Sequence, residues 1–136
     1  MEFKLPHIIH FKQIGASDTG FISIAENNKQ IPFSIQRVFW TYYTPQSLKR
    51  GTHAHHQTEQ VLIAVNGTIE VETELPDDTK NLFSLNSPDI GVYIPPNAWH
   101  IMHYSHSAVQ MVLASTLYDE KDYIRDYAHF KQIWKT

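Results

Sequence analysis

The chain reads as one all-β domain, a sandwich or small barrel, closed by a single C-terminal α-helix. Three observations predict this. Short runs rich in β-branched and aromatic residues recur between clusters of turn residues. One of these runs, Thr68 to Leu75, alternates strictly between apolar and polar side chains. Helical spacing sets in only after Asp119. A length of 136 residues fits one domain with one core, so residues 1–136 are taken as a single unit.

The elements follow in order. Ile8 to Ile14 and Phe21 to Glu26 are the first predicted strands, separated by the turn-rich Gly15-Ala16-Ser17-Asp18-Thr19-Gly20. Ile35 to Thr44 carries Val38, Phe39, Trp40, Tyr42 and Tyr43 and predicts a long strand that Pro45 ends. Val61 to Val65 is an apolar strand running into the Asn66-Gly67 turn. Between Thr68 and Leu75, Ile69, Val71, Thr73 and Leu75 share the buried face, leaving Glu70, Glu72 and Glu74 on a solvated acidic one. After the turn at Pro76-Asp77-Asp78, Asn81 to Leu85, Gly91 to Ile94, Trp99 to Tyr104 and Val109 to Ser115 complete the strands. Tyr123, Tyr127, Phe130 and Trp134 then form one helical stripe, with Asp119 as its N-cap.

Composition narrows the function. A 42% apolar and 18% charged chain is an ordinary globular one. The formal charge of -3, without any Lys/Arg cluster, argues against a nucleic-acid partner. No apolar run approaches the roughly 20 residues of a membrane span, and Met1 to Pro6 does not resemble a signal peptide, so no membrane partner and a cytoplasmic location are expected. The absence of cysteine excludes disulfides, thiolate catalysis and Cys-ligated zinc.

Histidine is the outlier, with nine copies. His7, His10 and His129 read as surface residues, whereas His53, His55 and His56 form one group and His100, His103 and His106 another. In a strand, His53 and His55 point the same way, roughly 7 Å apart, and His56 faces away. Two imidazoles aimed into one pocket serve either a metal ion or proton transfer near neutral pH.

Gly51-Thr52-His53-Ala54-His55, Glu59 and Gly67, followed by Gly91, Pro95 and His100, resemble the two motifs of the cupin superfamily, which implies a jelly roll. In metal-binding cupins the residues matching His53, His55, Glu59 and His100 are the ligands of Fe(II), Mn(II), Ni(II) or Zn(II), so a metal-dependent enzyme is one reading. A longer match favours another. Ile31 to Val38, Arg50 to His55, Glu59 to Leu62, Asn66-Gly67, Trp99 to His103, Val112 to Ser115 and Tyr118 to Tyr127 together resemble the sugar-nucleotide 3,4-ketoisomerases, over nearly the whole chain. That resemblance implies a dTDP-4-keto-6-deoxyhexose substrate, no metal or other cofactor, and a homodimer whose N-terminal strands cross between subunits.

The resemblance also implies roles. His53 and His55 are the catalytic pair, moving a carbonyl from C4 to C3 through an enediolate, with His55 taken as the carbon base. Arg37 and Arg50 meet the diphosphate, and Gln60 and His100 shape the sugar pocket. Two departures stand out: Thr19-Gly20 replaces an Arg-Gly of the family, and Phe39-Trp40 replaces a tyrosine pair. Phe39 has no hydroxyl to offer a sugar, and strand alternation makes Tyr43 the candidate replacement. These losses motivate a third reading, a non-catalytic cupin that binds sugar nucleotides.

Overall fold

The computed structural model describes residues 4–133. Twelve strands and one helix succeed one another: β1 (His7–His10), β2 (Lys12–Ala16), β3 (Gly20–Ile24), β4 (Arg37–Thr41), β5 (Lys49–His55), β6 (Gln60–Asn66), β7 (Ile69–Glu74), β8 (Lys80–Leu85), β9 (Ile90–Ile94), β10 (Trp99–Tyr104), β11 (Val109–Ala114), β12 (Tyr123–Ile124) and α1 (Tyr127–Ile133). One five-stranded sheet has the order β1-β9-β6-β11-β4 and the other β12-β5-β10-β7-β8. All the strand pairings are antiparallel, as a jelly roll requires. Among the described residues, no helix is long and apolar enough to cross a membrane.

Side-chain alternation sorts the apolar residues into two principal layers. Leu62, Ala64, Val71, Met102 and Val112 belong to the cluster between the sheets. Val61, Ile63 and Leu113 point outward, where Ile9, Phe11, Ile31 and Phe33 of the N-terminal segment cover them. This explains the unbroken apolar run of β6: it is buried on both faces. A third cluster joins Phe130 of α1 to Trp99, Ala54 and Ile124, fixing the helix against β5 and β10.

Several expectations change in detail. The run Ile8 to Ile14 is two strands, since β1 pairs with β9 whereas β2 pairs with β3 in a separate two-stranded ribbon. Ile35 to Thr44 yields only the five residues of β4, and Tyr43, at φ 59, has already left the strand. Glu74 is not solvated but buried, accepting from the Tyr127 hydroxyl at 2.8 Å and from Lys131 Nζ at 2.9 Å. Asp119 does cap a turn, but only the 3-10 turn Glu120–Asp122, where its side chain accepts from the Lys121 N–H. Tyr123 lies on β12 rather than on a helix, because Tyr123 and Ile124 pair with His55 and Ala54 at the edge of β5. Of the predicted stripe, Tyr127 and Phe130 are helical, and Trp134 falls outside the described residues.

Candidate active site

An irregularity in β5 sets up the histidines. Pairing with β10 runs Lys49 to His103, Arg50 to Met102 and Gly51 to Ile101, then resumes at His53 to His100. Thr52 is therefore an extra residue, and the strand bulges there with Gly51 at φ 84 and Thr52 at φ 54. A Cβ on Gly51 would sit 2.8 Å from the His100 carbonyl oxygen, so both the dihedral and the close approach call for glycine.

Beyond the bulge His53 and His55 share a face, their ring centroids 5.0 Å apart, and His100 of β10 lies 4.6 Å from His53. One ring nitrogen from each of the three lies within 4.8 Å of the others. Each Nδ1 is already engaged: His53 with the Gly51 carbonyl at 3.0 Å, His100 with the Ala98 carbonyl at 3.0 Å, and His55 with Asp122 Oδ2 at 3.1 Å. A carbonyl or carboxylate oxygen only accepts, so Nδ1 carries the hydrogen and Nε2 keeps its lone pair. Nε2 of His55 is buried with no hydrogen-bond partner.

Burial keeps these rings neutral. Desolvation, then the neighbouring His100 and His55, lowers the His53 pKa from 6.5 to about 2. Desolvation lowers His100 to about 4. His55 is lowered by desolvation and His100, against an upward pull from Asp122. At neutral pH all three are acceptors with free lone pairs.

Two of them border a cavity of about 170 Å³ walled by His53, His100, Phe39, Gln60, Tyr104 and Tyr123, with Arg50 and Arg125 among its cationic residues. The Tyr104 hydroxyl donates to Gln110 at 3.2 Å, and burial pushes its pKa up to about 12, so it stays a phenol. Arg125 grips Glu120 through two hydrogen bonds of 2.6 and 3.0 Å and lies 4.2 Å over the Tyr123 ring. Arg50 is exposed, with no ion pair among the described residues.

Sequence-predicted residues therefore separate. His53, Phe39, Arg50, Gln60 and His100 border the cavity, and His55 stands directly behind His53. Arg37 lies beside the wall, its guanidinium 5.3 Å from the Phe39 ring and 5.7 Å from that of Tyr118, with Nε buried and unpaired. Tyr43 does not reach the site: it is 90% exposed and faces a separate depression with Pro45 and His106. Thr41, the last residue of β4, takes the place on the wall that alternation had given to Tyr43. Thr19 sits in the exposed turn between β2 and β3, away from this cavity. His56 is exposed, and His103 bonds Glu72 at 2.9 Å.

Glu59 is also elsewhere. It accepts from the Tyr93 hydroxyl at 2.5 Å and from Lys4 at 3.2 Å, so the four-ligand set His53, His55, Glu59 and His100 is not assembled. Sequence reasoning missed Tyr104, Asp122, Tyr123 and Arg125. Tyr104 was within reach, four residues from His100 and hence on the same face of β10. The other three were hidden by the apparent helical spacing after Asp119.

A jelly roll with polar groups converging inside it defines the chain as a cupin-type protein. The family description "FdtA: WxcM-like, C-terminal" matches residues 4–135, and the chain belongs to that family. It is 45% identical over 128 residues to a TDP-4-oxo-6-deoxy-alpha-D-glucose-3,4-oxoisomerase of Aneurinibacillus thermoaerophilus, covering 92% of this chain and 89% of the relative. A 3,4-ketoisomerase from Helicobacter canadensis superposes with a TM-score of 0.88 at 37% identity, over 94% of this chain and 96% of that one. A mutant of the 3,4-ketoisomerase QdtA of Thermoanaerobacterium thermosaccharolyticum, in complex with TDP-4-keto-6-deoxyglucose, does so with a TM-score of 0.88 at 35% identity, over 94% and 92% of the two chains.

Proposed function

We propose that this protein is a dTDP-sugar 3,4-ketoisomerase, which moves the keto group between C4 and C3 of a dTDP-linked 6-deoxyhexose for deoxyamino-sugar synthesis. The observation that carries the reading is the convergence of neutral imidazoles, Nδ1 engaged and Nε2 free, inside a cavity of a family member. About 170 Å³ falls below the roughly 300–1,000 Å³ of sites that enclose a drug-sized ligand, which suits a sugar ring inside and the nucleotide across the mouth.

The chemistry needs no net oxidant. A base removes the C3 hydrogen, acidified by the adjacent C4 ketone, and the electron pair forms the enediolate. The C3 hydroxyl then loses its proton, O4 gains one, and a proton is delivered to C4. His55 is the better carbon base, since it alone of the three backs onto a carboxylate that steadies the imidazolium formed. His53 relays protons between the two oxygens. His100 and Gln60 shape the sugar pocket, and the Tyr104 and Tyr123 hydroxyls replace the phenol that Phe39 lacks. Arg50 meets the diphosphate from the exposed side, and Arg37 supports it through its stack on Phe39 and Tyr118. No role falls to Thr19 or Tyr43 within this subunit.

We also infer a homodimer. Among the described residues the β2–β3 ribbon pairs with no other strand, and it exposes Ile14, Phe21 and Ile22. A second copy would cover that ribbon and its open edges. Sedimentation as a monomer at micromolar concentration would contradict this.

The direct test is incubation with dTDP-4-keto-6-deoxyglucose in D2O, followed by NMR of the recovered sugar. A 3-keto product carrying solvent deuterium is expected. Unchanged substrate free of deuterium would discard the reading. His53→Asn and His55→Asn should each lower turnover by about 10²- to 10⁴-fold, the usual contribution of acid–base catalysis.

A further inference from the structure

Asp122 is the carboxylate behind His55, and four donors hold it in place. It closes the 3-10 turn Glu120–Asp122, in the segment that leads into β12. Oδ1 accepts from the Gln57 N–H at 2.8 Å. Oδ2 accepts from the Thr58 N–H at 3.2 Å, from the Thr58 hydroxyl and from the His55 ring at 3.1 Å. The Thr58 hydroxyl is itself steadied by Thr116 at 2.7 Å. Burial works to raise the Asp122 pKa, but the donors from Thr58, Gln57 and His55 outweigh it and hold the carboxyl ionised.

The geometry points to Asp122 as the positioning residue for His55: it fixes the imidazole with hydrogen on Nδ1 and Nε2 bare among the clustered histidines, and it stabilises the positive charge that appears when Nε2 takes a proton. This rests on the ketoisomerase reading for its catalytic consequence, though not for its structural one. The contrast with the other two rings is specific. His53 and His100 each donate to a backbone carbonyl, which orients a ring but brings no full negative charge. Only His55 has a carboxylate behind it, and that carboxylate is pinned by donors from a different segment, Gln57-Thr58. The carboxylate need not take up a proton itself; a charged acceptor at this distance is enough.

Two measurements test this. In ¹⁵N–¹H NMR of the unaltered protein, His55 is expected to be protonated on Nδ1 and bare on Nε2; the reverse tautomer overturns the proposal. In kinetics with dTDP-4-keto-6-deoxyglucose, Asp122→Asn is expected to lower kcat by about 10²-fold or more while KM stays within about threefold, and Asp122→Glu to recover part of the loss. A purely structural contact would give an Asn variant with kcat within about threefold of the parent, and that result also overturns the proposal. Should the Asn variant fail to fold, the tautomer of the unaltered protein decides alone. An unaltered protein with the expected tautomer but no turnover would refute the ketoisomerase reading while leaving the His55–Asp122 arrangement intact.

Discussion

The floor and the rim of the cavity are built on opposite principles. On the floor, His53, His55 and His100 are withdrawn from water, neutral, and held by an acceptor at each Nδ1. On the rim, Arg50 is exposed and without an ion pair among the described residues, whereas Arg125 is tied to Glu120 and stacked on Tyr123. A buried guanidinium without a partner would be costly, and it would depress the imidazoles further, as Arg37 already does to His55. Keeping the rim charges in water and the imidazoles in the dry interior would let one small cavity bind an anion and keep neutral bases, as the proposed function requires. On the proposed function, the difference teaches that binding and chemistry fall to different residues.

Arg50→Ala is the sharpest way to break that division. A charge-assisted hydrogen bond contributes about 1.5–3 kcal/mol, so KM for the sugar nucleotide should rise roughly 10- to 100-fold. The kcat value should stay within a few-fold. The effect of Arg50 should weaken with added salt, since the residue is solvent-facing. Arg125→Ala should raise KM less, because Glu120 already competes for that guanidinium. Steady-state kinetics at two ionic strengths would show both. A loss confined to kcat would mean that the rim takes part in the chemistry.

The floor makes its own prediction through pH. His100 has a pKa near 6.5 when unfolded and about 4 when folded, so between those values the unfolded chain binds more protons. Stability therefore falls as pH drops from about 6.5 toward 4, and it is unaffected by this group above that window. Replacing the ring, as in His100→Gln, should flatten the fall in Tm between pH 7 and pH 5 by several degrees, on the order of 5 °C. The same desolvation places the acid limb of kcat/KM below 6.5, since the free enzyme's imidazoles stay neutral there. Equal Tm slopes for the two proteins, or a limb above 6.5, would show a wetter floor than the burial of His100 implies.

What the sequence made legible follows the same line. Period-two patterning marked β7 almost to the residue, and the His-Ala-His spacing placed two imidazoles on one face. The bulge at Thr52 was not readable in advance, because Gly51 announces a tight backbone but not which residue goes unpaired. Asp122 and Tyr123 stayed hidden for a different reason. Tyr123, Tyr127 and Phe130 do fall at helical spacing, but Tyr123 and Ile124 find more hydrogen bonds on the open edge of β5 than in a first turn. Tertiary pairing overrode the local pattern. The assignment of Tyr43 failed because β4 ends two residues before it: alternation holds only while the strand lasts.

That last point yields the smallest expected effect. Tyr43 is 90% exposed, has a left-handed backbone and touches Tyr42 rather than the cavity. Tyr43→Phe should leave kcat and KM within about twofold of the parent and stability within roughly 0.5 kcal/mol. Tyr123→Phe is the informative contrast, because that ring lines the cavity and packs 5.0 Å from His53 and 4.4 Å from His55. It should lower kcat several-fold, the outcome expected if this hydroxyl serves the sugar oxygens as proposed. Parallel assays of the two variants decide the matter: a tenfold loss with Tyr43→Phe would mean that the strand end folds inward when substrate binds, and the phenol missing at Phe39 would have to be sought there.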